Sequence, residues 1–366
     1  MTPRERMLTA VNNGKPDHLP GQVHGWMPYY LNNYLDGVDQ FAAYERFGLD
    51  MAIYCGPEWK FDESDLANWQ VDHKDLGTDA NGVYSWVNTI KTPGGELTSV
   101  GSGNPITAWE TEPLIKTKAD FDLFDKYYPV PTGIDGSPVK ACQERVGDRG
   151  IVRGIIWCYG QMGAWQSFCT LVGTQEAIMF AMDEPEWVHH VESRLVAKQL
   201  RTIEMMHGEA PLDIVELGGG AGSNTVISPS LHAEFCVPYD KQHVDALRAG
   251  GYKTVYHLCG GLMKQLDNVL ANGSDGIETM TPPSMGGDCD LAECDRLVGD
   301  KLFFVGGFDQ NQGFEHGTPA KVREQVFALH AACPNGGYIC CPSDHFFHGD
   351  PANLQAFADA LKECVY

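Results

Sequence analysis

From residue 150 onward, short runs rich in β-branched and aromatic residues alternate with longer stretches whose apolar residues recur at helical spacing. GIIWCYG (154–160) precedes a helical stretch from Thr174 to Met206, and DIVELGG (213–219) precedes a helix that Ser228 caps and Pro229 begins. TVYHLCG (254–260) is followed by LMKQLDNVLANG (262–273), and SDGIETM (274–280) by DLAECDRLVG (290–299). KLFFVGGFD (301–309) leads into TPAKVREQVFALHAACPNG (318–336), and GYICCP (337–342) into ANLQAFADALKEC (352–364). This alternation predicts parallel strands joined by right-handed crossovers, in a closed barrel or a doubly wound sheet. An eight-stranded barrel needs two more strands, which must come from the first 150 residues.

The N-terminal part has a different texture. A capping box from Thr2 to Glu5 opens a helix that reaches about Asn12. The Pro-bounded segment KPDHLPGQVHGWMPYYL (15–31) contains GQVHGW, a candidate first strand. VYSWVNTIKTPGGELTSV (83–100) alternates about Pro93-Gly94-Gly95 and predicts a β-hairpin laid on the domain. The pattern favours one α/β domain over 1–366, a (β/α)8 TIM barrel with helical and β-hairpin elaboration in about 1–130.

Charge narrows the partners. With 49 Asp+Glu against 26 Lys+Arg the formal net charge is −23, which repels nucleic acid and anionic membranes. No stretch approaches the roughly 20 apolar residues of a membrane span. The start MTPRERMLTA lacks an apolar signal core, so a cytoplasmic protein is expected. Twelve cysteines in that setting read as free thiols, most of them small buried hydrophobes. Cys259, Cys340 and Cys341 stand in contexts that suggest more.

His257-Leu258-Cys259-Gly260-Gly261 ends a predicted strand. Strand residues two apart share a face, so an imidazole and a thiolate there converge on one ion, at the carboxyl end where barrel chemistry sits. Glu278 ends the next predicted strand and Cys341 the last, with Cys340 competing because adjacent strand residues face opposite ways. The set His257, Cys259, Glu278 and Cys341 offers one imidazole, one carboxylate and two thiolates, which suits Zn²⁺ better than hard cations. Glu216, Asp309 and His24 lie near the same predicted mouth and are candidate catalytic groups. Trp26 and Tyr29, after the putative first strand, are candidates to line a cofactor or aromatic-substrate pocket. Gly219, within Gly218–Gly222, would give backbone access beside a bulky ligand; no Lys-Ser/Thr follows, as a P-loop requires.

The opening MTPRERMLTAVNNGKPDHLP, the hairpin TPGGELTSV, the strand end HLCGG, the run LFFVGGFD and the closing GGYICCPSDH together resemble the uroporphyrinogen decarboxylase superfamily. Within it they look like the zinc methyltransferases that serve corrinoid proteins, and the resemblance covers nearly the whole chain. The spacing of His257, Cys259, Glu278 and Cys341 is also similar to the zinc site of cobalamin-independent methionine synthase. Two departures stand out. The decarboxylases carry an Arg-rich segment after the first proline run, where this chain has Gly21-Gln22-Val23-His24-Gly25-Trp26-Met27-Pro28 with no arginine. Aligning PSDH on the coenzyme M methyltransferases' P-G-C-G puts the last ligand at Asp344, so Asp344 and His345 join Cys341 as candidates.

The resemblance implies a zinc-dependent methyltransferase acting between a small methylated donor, a methoxyaromatic for instance, and a corrinoid. No D-x-H-x-x-G signature of a cobalamin-binding domain is present, so the corrinoid would arrive on a partner protein. A thiol methyltransferase of the coenzyme M type and a cofactor-free decarboxylase are the alternatives.

Overall fold

The computed structural model describes residues 1–366. Its central sheet is parallel, in the order Met51–Tyr54, Gly150–Ile155, Ile214–Gly218, Lys253–His257, Gly276–Thr279, Phe303–Phe308 and Tyr338–Pro342. Sheet order follows chain order, the TIM-type arrangement in which connecting helices return over the outer face. The six strands expected after residue 150 are all present, and Met51–Tyr54 is the seventh.

The segment 21–26 is not the first strand that the sequence suggested. It contributes a single parallel bridge, Gly21 to Cys340. Pro20 has no N–H to give, and the helix Pro28–Tyr34 begins a few residues later, so little extended chain is left to pair. Its backbone still reaches both sheet edges. Cys340 N donates to Pro20 O at 2.9 Å and Gln22 N to Cys340 O at 3.1 Å, while Asp50 N donates to Gly21 O at 3.0 Å.

Two other expectations shift. The strand expected at 154–160 lies at Gly150–Ile155, because the run IVRGI is strand in spite of its arginine. The stretch 174–206 is two helices, Thr174–Asp183 and Pro185–Met206, broken where Pro185 cannot continue the hydrogen-bond ladder.

Ala52, Ile151, Ile214, Val255, Phe303, Val305 and Ile339 form an apolar cluster with Met7, Ala10 and Val11 of the first helix, Pro3–Val11. That helix stoppers the amino end of the strands. The predicted capping box is formed: Thr2 Oγ1 accepts from Glu5 N, and the Glu5 carboxylate accepts from Thr2 N. Arg4 binds both oxygens of Asp213, and Arg6 bridges Asp17 and Asp50, tying the stopper to the strands.

The predicted hairpin is Tyr84–Thr92 with Gly95–Gly103, turning at Pro93-Gly94. Two further strands, Gln70–Thr78 and Ala108–Glu112, extend it to a four-stranded antiparallel sheet. Both are exposed along their whole length, so no buried alternation marks them in the sequence. Ile90 and Leu97 anchor this sheet on Leu114, Ile115, Phe121 and Phe124. All twelve cysteines are free, and no helix is long and apolar enough to cross a membrane.

Candidate functional site

Above the apolar cluster the lumen turns polar. Tyr54, Arg153, Glu216 and His257 each stand two residues after an apolar lumen residue of their own strand (Ala52, Ile151, Ile214, Val255), and so share its face. Glu278 pairs in register with His257 on the neighbouring strand. His257 Nδ1 lies 2.9 Å from Glu278 Oε1 and 3.4 Å from Glu216 Oε1. Arg153, only 1% exposed, pairs with Glu278 Oε2 and lies 3.4 Å from Glu216 Oε2, its guanidinium 4.8 Å from the Tyr54 ring centre. The Tyr54 hydroxyl donates to Glu216 Oε2. Glu216, His257 and Glu278 each offer a ligand atom, all within 4.8 Å of one another.

Charge in this group is set by competition between burial and neighbours. Burial opposes ionisation of Glu278, but Arg153 and then His257 outweigh it and hold the carboxyl far below the usual carboxylate range. Glu216 is pushed up to about 7, first by burial and then by the charge on Glu278. Burial also opposes an imidazolium at His257, yet its contacts to Cys259 and to the two carboxylates raise it well above an ordinary histidine. The proton on His257 is thus held between donors of the kind a divalent ion takes, and a cation replacing it would face one imidazole and two carboxylates, with a thiol alongside. The residues fit such an ion.

Cys259 lies beyond the end of its strand, which stops at His257, and it walls the same cavity as His257 while standing outside the three-residue donor group. The glycine run makes room for it, because a Cβ on Gly220 would fall 2.5 Å from Cys259 Sγ. Gly219 plays a similar part: its N–H donates to His257 O at 2.9 Å, and a Cβ would meet Gln166 Cγ at 2.4 Å. Gly219 therefore packs the strand end instead of lining the cavity. Cys341 is fully buried and its Sγ lies 3.7 Å from Gln22 Nε2, outside the three-residue donor group. Burial pushes its thiol well above the usual range, although Arg153 pulls the other way. Cys340 faces the outer core instead.

A cavity of about 480 Å³ opens over this group, walled by His24, Tyr54, Ile155, Glu216, His257 and Cys259 among others. The His24 ring is 5.7 Å from that of His257. Burial first, with His257, His345 and Arg153 adding to it against the pull of Glu278, moves the His24 pKa down to about 3 and keeps it neutral. Asp309 does not wall the cavity: its carboxylate accepts from Gln312 N at 2.9 Å and from Ser284 Oγ at 2.6 Å, a loop-capping arrangement. Trp26 is buried among Tyr30, Tyr44, Phe47 and Phe346, and Tyr29 sits edge-on to His348; neither reaches the cavity.

Sequence reasoning passed over Arg153 and Tyr54. The signal for Arg153 was a charge alone in the apolar run IVRGI, since such a residue is buried with a partner or not at all. Tyr54 ends the short run MAIY, too brief to mark as a strand. A further feature invisible in the sequence follows Glu278, where Thr279 (φ 79°) and Met280 (φ 43°) both adopt the left-handed region. Such strain in β-branched and bulky residues collects beside functional groups.

No curated protein matches the chain. Its structure is similar to that of a methyltransferase from Methanosarcina mazei, with TM-score 0.63, 15% identity and 99% of each chain covered, a likeness of fold. It is also similar to a B12-independent methionine synthase from Shewanella sp. W3-18-1, with TM-score 0.48 and 11% identity over 96% of this chain and 95% of that one. Residues 151–364, which carry Arg153, Glu216, His257, Cys259, Glu278 and Cys341, match the family described as Uroporphyrinogen decarboxylase (URO-D). The chain belongs to the uroporphyrinogen decarboxylase family.

Proposed function

We propose that this chain is a zinc-dependent methyltransferase, moving a methyl group from a small methylated donor to a corrinoid carried by a partner protein. The observation that carries the reading is the convergence of Glu216, His257 and Glu278 within 4.8 Å at the base of an open cavity. His257, Cys259 and Glu278 would hold the zinc. When bound, zinc supplies Lewis acidity to the donor's heteroatom and makes it a better leaving group.

The remaining work falls to the chain. Arg153 fixes the Glu278 carboxylate from behind, and Tyr54 fixes Glu216. Glu216, its carboxyl raised to about 7 by burial, gains and loses a proton near neutral pH and would hand one to the oxygen from which the methyl group departs. A bound corrinoid would supply the cobalt nucleophile that takes the methyl group as its bond to oxygen breaks, and Glu216 would supply the proton that the oxygen then carries. Beside the metal cavity, a second cavity of about 410 Å³ is walled by Trp59, Trp157, Ile155 and Tyr54. Ile155, Tyr54 and Gly160 belong to both. An apolar, aromatic-walled space of that size suits the ring of a methoxyaromatic, which makes O-demethylation the favoured reaction. On this reading the ring would lie against Trp59 and Trp157, since Trp26 and Tyr29 wall neither cavity. Decarboxylation of a polyanionic tetrapyrrole is disfavoured, since no lysine or arginine walls the metal cavity and Arg153 is engaged by Glu278.

Metal analysis tests the reading. After exhaustive dialysis the wild type should retain about one zinc per chain, and His257→Ala, Cys259→Ala and Glu278→Gln should each lose it. Cys341→Ala should weaken zinc binding less than Cys259→Ala. Full zinc retention in His257→Ala and Cys259→Ala would sink the proposal.

A further inference from the structure

A second set of donors meets at the rim of the same cavity. His24, Asp344 and His345 each present a ligand atom within 4.8 Å of the other two. His24 comes from the segment that bridges the sheet edges, and the other two from the loop after Tyr338–Pro342. The two imidazole rings are 4.9 Å apart. His345 Nδ1 is buried with no hydrogen-bond partner, a state that is destabilising unless a ligand satisfies the nitrogen. Asp344 is exposed and spends Oδ1 on His345 N at 2.7 Å.

The arrangement is held in place from outside the cluster. The buried Gln310 side chain accepts from Asp344 N and donates to His345 O, each at 3.3 Å. Gly25 gives the His345 ring its place, because a Cβ there would lie 2.9 Å from Cε1 and 3.3 Å from Nδ1.

We infer that His24, Asp344 and His345 form a second divalent-metal site, distinct from the Glu216–His257–Glu278 group and opening into the same cavity. Two imidazoles and one carboxylate suit a borderline transition cation such as Zn²⁺, Co²⁺, Fe²⁺ or Mn²⁺ over Ca²⁺ or Mg²⁺. Three protein donors leave coordination positions open toward the cavity. Since no lysine or arginine walls that cavity, an ion at the rim is what would give an anionic oxygen of the substrate a cationic partner. The inference stands on the rim residues alone and does not need the methyl-transfer reading.

The test uses the full chain, stripped with a chelator and titrated with Co²⁺ under calorimetry and absorption spectroscopy. Asp344→Ala and His345→Ala should each bind one equivalent fewer than the wild type. His257→Ala should keep the rim equivalent, and Gly25→Ala should weaken it at least about tenfold without touching the inner one. Thermal melting of each metal-free variant checks that it is folded. The inference is overturned if Asp344→Ala and His345→Ala, folded, bind as many equivalents as the wild type, or if the wild type binds two and either variant loses both. Should the wild type bind a single equivalent, His257→Ala must keep it, and its loss in both His257→Ala and Asp344→Ala would overturn the inference as well.

Discussion

Arg153 lies in the lumen against Glu278, 3.4 Å from Glu216, and its Nε and Nη1 have no partner. Removing a guanidinium from such a place leaves a fully buried carboxylate facing only His257, so in chelator-treated protein Arg153→Met should lower unfolding free energy by about 3–5 kcal/mol. Urea denaturation measures it, and a loss under about 1 kcal/mol would show that the pair is not a structural keystone. Asp240 makes the opposite kind of case. Its carboxyl accepts from the Tyr256 hydroxyl at 2.6 Å, yet burial raises it from 3.8 to about 6. Between those values the native state holds a proton that the unfolded chain has lost, so stability falls as pH rises through the window and the loss is complete above it. Asp240→Asn keeps an acceptor for Tyr256 without the charge. It should match the wild type near pH 4 and exceed it by about 2–3 kcal/mol near pH 8. An equal gap at both pH values would contradict the assignment.

At the scale of elements, the first helix shows how a local signal becomes a fold-level device. The box Thr2/Glu5 is legible because its two hydrogen bonds need only residues three apart, whereas its destination, the amino end of the strands, is not. Thr2→Ala should lower stability by about 1 kcal/mol through the lost cap, measured as a shift in the urea midpoint with unchanged slope. No shift would mean that Arg4 and Arg6 alone anchor the helix. The same distinction explains what was legible elsewhere. The six parallel strands were readable as short apolar runs, since both their faces are buried, and their helices because one buried face gives a helical period. Gln70–Thr78 and Ala108–Glu112 were not, because both faces meet solvent. His257, Cys259, Glu278 and Glu216 could be singled out from chemistry at strand ends. That His24 would group with Asp344 and His345, and that Cys341 would lie against Gln22, depends on how the segment 20–25 bridges the sheet edges. No periodicity encodes that contact. Trp26 and Tyr29 misled for a related reason: after the helix turns at Pro28 they face the Phe346–Phe47 cluster and His348.

On the scale of the whole molecule, an acidic chain with net charge −23 gathers its one lumen arginine, two carboxylates and an imidazole at the carboxyl end of a TIM-type sheet, beneath an open cavity. The amino end is stoppered and apolar, so any reactant must enter from the opposite face. A bulky acceptor such as a corrinoid on a partner protein would therefore dock over the cavity that His24, Asp344 and His345 rim. The most direct test of the central claim follows the conversion of cob(I)alamin to methylcobalamin by absorbance, with zinc-loaded protein and a panel of methoxyaromatics, methanol and methylamines. Saturable methylation from a methoxyaromatic, falling at least about a hundredfold in His257→Ala, is the predicted result. No methylation from any donor, or equal rates in the wild type and His257→Ala, would contradict it.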